Sequence, residues 1–91
     1  TMKSKSTNTT SQPWMSYPKP VDTRGGYKVD WNYYADEATA LECAKAASNN
    51  RDIMMQRGYD FGYCWPSTVK LVDVAPEGRT ELVGLWEVCL P

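Results

Sequence analysis

The sequence predicts a small α+β domain of order β-α-β-β, with an antiparallel-rich sheet and one helix on one face. Three observations predict it. Tyr27, Val29, Trp31 and Tyr33 alternate with Lys28, Asp30 and Asn32, which is the period of a strand. An alanine-rich stretch then repeats small apolar residues at helical spacing. Finally, two β-prone runs flank Ala75-Pro76-Glu77-Gly78-Arg79, where proline suits a type I turn and glycine a left-handed position.

Residues 1–24 precede this domain, and 25–91 form it. From Lys3 to Gln12 the chain is Lys, Ser, Thr, Asn and Gln, with nothing apolar to offset the entropy of ordering, so it reads as a flexible polar arm. Pro13-Trp14-Met15-Ser16-Tyr17-Pro18-Lys19-Pro20 changes character. Its prolines favour an extended path, and Trp14, Met15 and Tyr17 give that path something to bury. It reads as a strap across the domain's own surface, or as an arm reaching a neighbouring subunit.

The first strand is expected near 27–34, its rings on a core face and Lys28, Asp30 and Asn32 on a wet one. Asp36 is a suitable N-cap and Glu37 adds negative charge to the first turn, placing a helix within 36–57 that Gly58 ends. Its apolar row is expected to run through Ala40, Ala44, Ala47, Arg51 and Met54. Arg51 is the anomaly, and Ser48-Asn49-Asn50 before it are weak helix formers. Either the helix breaks there, or Arg51 reaches out at the sheet edge. The hairpin is expected at 68–75 and 80–90, pairing Val74 with Thr80, Val72 with Leu82 and Lys70 with Gly84. Gly84 would admit the helix closely or mark a bulge. This register leaves both hairpin faces apolar. One helix covers only one of them, so the strap or a second subunit is expected on the other.

Composition bounds the function. The formal charge is −1, and the basic residues are scattered, which disfavours a duplex nucleic-acid binder or an anionic-membrane binder. No apolar run is long enough for a signal peptide or a membrane span. Three cysteines without metal or redox spacing fit a reduced setting, so the cytoplasm, of its own cell or of a host, is expected. The chain has no histidine, which removes the usual general base and the commonest zinc ligand. No phosphate-binding loop or acid/base pair occurs, so neither an enzyme, a metal nor a cofactor is expected. Cys64 is the nearest to a reactive thiol.

Binding remains, and one segment suggests where. Arg57-Gly58-Tyr59-Asp60-Phe61-Gly62-Tyr63-Cys64-Trp65-Pro66 holds four rings within seven residues. Tyr59, Phe61, Tyr63 and Trp65 either close the sheet edge or offer faces to a planar ligand. Arg51 and Arg57 would then meet an anion through a two-toothed fork, and Asp60 would accept from a base or sugar. The expected function is a non-enzymatic, oligomeric protein that captures a small anionic, nucleotide-like ligand. The alternative is a structural or protein-interaction module without a small ligand. A homodimer or higher homo-oligomer is expected, its interface including Val69, Leu71, Val83 or Leu85, or the Trp14–Tyr17 arm.

Overall fold

A computed structural model describes residues 13–59 and 67–90. It is a small α+β domain in the expected β-α-β-β order, with one strand added at its N-terminal side. The four strands are β1 (Asp22–Gly25), β2 (Asp30–Tyr34), β3 (Val69–Leu71) and β4 (Trp86–Leu90), and the helix α1 is Glu37–Gln56. They form an antiparallel sheet of order β1-β2-β4-β3. The segment read as a strap therefore supplies, just beyond it, an edge strand.

The caps of α1 are as the sequence predicts. Asp36 is extended at φ −134°, and its carboxylate accepts from the Thr39 amide at 2.9 Å. At the other end Gly58 takes φ +94°. Its N–H donates to the Met55 carbonyl at 3.0 Å, and Tyr59 N–H donates to Met54 at 3.1 Å. This is the paired closure that a left-handed glycine permits.

The interior of the helix differs from expectation. It runs unbroken through Ser48-Asn49-Asn50, and its buried row is Ala40, Cys43, Ala46, Ala47, Asn50 and Ile53. Asn50, and not Arg51, occupies the inward slot. Arg51 is half-buried at the margin.

The first strand is shorter than predicted. It starts at Asp30, because residues 26–29 form the turn that joins it to β1, closed by Gly26 N–H to the Val29 carbonyl at 2.8 Å. Lys28 adopts φ +64° there, and Tyr27 stands 87% exposed. A Cβ at position 26 would lie 2.6 Å from the Trp31 ring, which would have to shift to admit it.

Of the face expected to be wet, Lys28 and Asp30 are exposed, but Asn32 is buried. Asn32 and Tyr34 point under the helix, where Tyr34 packs with Ala40, Cys43, Ala47, Val88 and Leu90. The opposite face holds Tyr33, Val72 and Leu82, with Trp31 and Leu85 beside them.

That second core exists because the hairpin register is not the expected one. Val69 pairs with Val88, Lys70 with Glu87 and Leu71 with Trp86. Relative to the predicted pairing the strands slip by three residues, an odd number that exchanges the faces. The cause lies in the connection. Glu77, Gly78 and Gly84 take φ of +53°, +76° and +89°, which leave strand geometry. Short 3-10 turns at Pro76–Gly78 and Thr80–Leu82 fold the segment back over the sheet. Leu82 is driven to full burial against Tyr33 and Val72. The chain thus covers its own second face, where the strap or another subunit was expected. A Cβ at Gly84 would meet no atom within 4 Å, so this glycine serves the turn and not the close approach of the helix.

Candidate functional site

The strap follows from its composition. Proline fixes φ and holds the preceding residue extended, so 13–20 cannot coil and must find partners for its carbonyls elsewhere. They come from α1 and β2. The Asn50 side chain accepts from Met15 N–H at 2.9 Å and donates to the Met15 carbonyl at 2.7 Å. Asn49 donates to the Pro13 carbonyl at 3.0 Å. The Tyr34 hydroxyl donates to the Pro18 carbonyl at 2.8 Å and accepts from Asn32 Nδ2 at 3.1 Å. Val21 N–H then reaches the Tyr33 carbonyl at 2.8 Å, and the chain enters β1.

These contacts seat the strap along the seam between helix and sheet, with a groove on each side. The larger, about 490 Å³, is lined by Tyr17 of the strap, Thr23 and Gly25 of β1, Asp30 and Asn32 of β2, and Leu90 of β4. The smaller, about 280 Å³, lies between the strap and Glu42 and Lys45 of α1. Arg24 also borders the larger groove, but its guanidinium is engaged on the other side of the sheet. There it lies 3.8 Å from the centroid of the Trp31 ring. It donates to the Tyr33 hydroxyl at 2.9 Å and to Glu77 at 2.8 Å. The Tyr33 hydroxyl in turn donates to Glu87 at 2.7 Å. Asp30 is therefore the groove's acidic group, with Tyr17, Thr23 and Asn32 as its neutral polar ones.

Burial sets the protonation of the groups around the strap. Burial pushes the Cys43 thiol up from its ordinary value, with Tyr34 and Asn32 pulling it only partly back. Burial also raises the Tyr34 phenol, and the neighbouring Cys43 adds to the shift. Tyr17 is raised by burial first and by Cys43 second, with Asn50 opposing. Near neutral pH these groups are uncharged donors and acceptors, and a neutral buried thiol is a poor nucleophile. Among the described residues, no cluster of three or more His, Cys, Asp and Glu could hold a metal ion. No helix among them is long and apolar enough to cross a membrane.

Of the residues predicted from sequence to bind a ligand, Asp60, Phe61, Tyr63 and Trp65 lie outside the described residues, as does Cys64. Arg57 is the exposed C-cap of α1, and Tyr59 follows it at 57% exposure. At 3.6 residues per turn, positions 51 and 57 leave the helix roughly 120° apart. Neither of the two grooves is lined by Arg51 or Arg57.

Sequence reasoning missed Asn32, Asn49, Asn50, Tyr34, Tyr17 and Asp30. One signal was present. Asn50 stands three residues beyond Ala47 in the Ala40–Cys43–Ala47 row, and a polar residue in a buried row must be answered by a partner. The matching donors and acceptors lie 35 positions away in sequence, where no periodicity points.

No protein-family model, curated protein or solved structure matches this chain.

Proposed function

We propose that this protein is a non-enzymatic binding protein that captures a small, planar, nucleoside-like molecule in the groove between the strap and the β1–β2 hairpin. One observation carries the reading: an open groove of about 490 Å³ lined by Tyr17, Thr23, Asp30, Asn32 and Leu90. The volume suits a small ligand, and an apolar floor with a few converging polar groups is the usual makeup of such sites. Tyr17, 42% exposed, offers a ring face for stacking. Asp30 accepts from an exocyclic amine or a sugar hydroxyl, and Asn32 and Thr23 supply mixed donors and acceptors. The expected anionic character of the ligand finds no support in this groove, whose acidic group would repel a phosphate. A phosphate would need Arg51 or Arg57, which lie elsewhere on α1.

The test is thermal shift with nucleosides, nucleobases and nucleotides on the full chain. A nucleoside should raise the melting temperature, since a ligand at a hundred times its Kd adds about 2.7 kcal/mol. Tyr17→Ala should weaken binding by the stacking contribution of roughly 1–3 kcal/mol, and Asp30→Asn should weaken it while sparing the fold. Failure of every compound to shift melting would remove the proposal.

A second reading, a protein-interaction module, rests on the apolar side chains left at the surface. Trp14 is 58%, Tyr27 87% and Val74 78% exposed. Saturating nucleoside would then leave the melting temperature unmoved, and Tyr27→Ser or Val74→Ser would improve solubility without loss of stability.

A further inference from the structure

The larger groove offers a ligand acceptors more than donors, and the seating of the strap is the reason. The Pro18 carbonyl can only accept, so the Tyr34 hydroxyl gives its hydrogen there, at 2.8 Å. Toward Asn32 that hydroxyl has only a lone pair left, and the asparagine must meet it with its NH2 group, at 3.1 Å. The same nitrogen donates to the Cys43 sulfur at 3.9 Å. Both Asn32 donors are thus used under the helix, and its carbonyl oxygen remains. That oxygen meets no donor among the described residues, although Asn32 is only 8% exposed. Asn32 lines the groove and the oxygen is not sealed from solvent, so it opens there. Whatever displaces water from it must donate a hydrogen bond.

Asp30 adds two more acceptor oxygens on the same side. It stands two residues before Asn32 on β2, so the two side chains share a face, about 7 Å apart along the strand. Gly25 lies opposite Asp30 in β1, and a Cβ there would sit 3.4 Å from Asp30 Oδ1, which places the carboxylate against the groove wall. Among the described residues no Lys or Arg pairs with this carboxylate. The Tyr17 hydroxyl meets Asn50, so to the groove Tyr17 brings chiefly its ring. Thr23 brings a hydroxyl that serves either way.

An occupant must therefore bring donors, and two of them side by side to satisfy the carboxylate. Adenine and cytosine each present one exocyclic amine beside a ring acceptor, and uracil presents one N–H between two carbonyls. Guanine sets N1–H next to its 2-amino group, the parallel pair that a carboxylate accepts from arginine. We infer that the groove selects a guanine nucleoside. Asp30 accepts from N1–H and the 2-amino group, the Tyr17 ring stacks on the base, and Asn32 Oδ1 accepts from a ribose hydroxyl. This inference rests on the nucleoside reading above and narrows it to one base. Its underlying chemistry, a planar edge with two adjacent N–H donors, is shared by amidinium compounds.

The experiment is a nuclear magnetic resonance titration of the ¹⁵N-labelled full chain with guanosine, inosine, adenosine and benzamidine, read at the Gly25 amide and the Asn32 side-chain amide. Inosine is guanosine without the 2-amino group, so the pair isolates one hydrogen bond. Guanosine is expected to bind roughly tenfold or more tightly than inosine or adenosine, and to move both reporter signals. Asp30→Asn keeps the shape but turns one acceptor into a donor. It should erase the advantage of guanosine over inosine and leave the melting temperature of the free protein unchanged. Inosine or adenosine binding as tightly as guanosine would overturn the inference and leave the nucleoside reading standing. So would an Asp30→Asn variant that still prefers guanosine, or guanosine shifts that spare Gly25 and Asn32. Benzamidine binding without any nucleoside would overturn both, with an amidinium as the occupant. Silence from all four compounds would also overturn both.

Discussion

The two faces of the sheet are closed by different means. Under α1 the closure is local and small: Ala40, Cys43 and Ala47 let the helix sit close on Tyr34, Val88 and Leu90. On the opposite face no α-helix packs among the described residues. The 72–85 connection folds over the sheet on two 3-10 turns, drives Leu82 into Tyr33 and Val72, and fastens its rim with charge. Arg24 bridges to Glu77 at 2.8 Å, and Arg79 bridges to Asp22 at 2.7 Å and to Glu81 at 3.0 Å. A helix needs only its period to find its face. A loop needs left-handed residues in the right places and an anchor to hold it down. In a domain this small, neither face can be left open.

Leu82→Ala breaks the loop face most directly. Leu82 is fully buried, and its truncation should cost about 2–5 kcal/mol, enough to unfold much of a marginal domain. Urea denaturation measures it. A cost under about 1 kcal/mol would mean that the connection merely lies on the sheet.

Tyr33→Phe tests the polar fastening beneath the same loop. The ring stays, but Arg24 and Glu87 lose their shared hydroxyl. Because both partners are charged and half-buried, the expected loss is about 1.5–3 kcal/mol by chemical denaturation.

The helix face gives a smaller handle. Asp36→Ala removes the N-cap and should cost about 0.5–2 kcal/mol without disturbing the loop side. Hydrogen exchange should then rise first at the N-terminal turn of α1.

Alkaline pH touches both faces. Cys43 and Tyr34 under the helix, and Tyr33 under the loop, all have pKa values raised by burial. A raised pKa contributes stability that is fully present below the group's unfolded value and is lost as pH rises through the folded one. Melting temperature should therefore hold up to the thiol's ordinary 9.0 and fall beyond it and beyond the phenols' ordinary 10.0. Cys43→Ala should delay the onset of that fall.

The weakest expected effect is at Glu77. Its bridge to Arg24 is exposed on the glutamate side, and its backbone sits at φ +53°. Asn tolerates that conformation better, so Glu77→Asn should lie within about 0.5 kcal/mol of neutral.

What could be read from the sequence divides along the same line. Asp36 and Gly58 announced the helix ends, and Trp31 and Tyr33 announced a strand, because each acts on neighbours within a few positions. The register of β3 on β4 was not legible in the same way. Pro76 and Gly78 signalled a turn, but Gly84 also leaves the strand path, and a turn with two pivots fixes no register by itself. Asn49 and Asn50 were misread as helix weakeners because intrinsic propensity is a local quantity. Their stabilising partners belong to a segment that meets the helix only once the domain has folded. The aromatic run that carried the sequence-based ligand reading reaches the described residues only at Tyr59, and the grooves among the described residues lie beside the strap.

The strand order has a consequence for how this chain is born. β4 is central, paired to β2 on one side and β3 on the other, with Asp30 opposite Leu90. Until synthesis has passed Leu90 and the segment has cleared the ribosomal tunnel, β2 and β3 have no common neighbour. The emerging chain can form α1 and the β1–β2 hairpin, but it cannot assemble the sheet. Folding must therefore wait for β4 and then close the long loop between β2 and β4, which makes it slow relative to a helical domain of this size. During that wait Tyr33, Tyr34 and the unpaired edge of β2 remain uncovered, the stage at which association with other nascent chains is hardest to avoid.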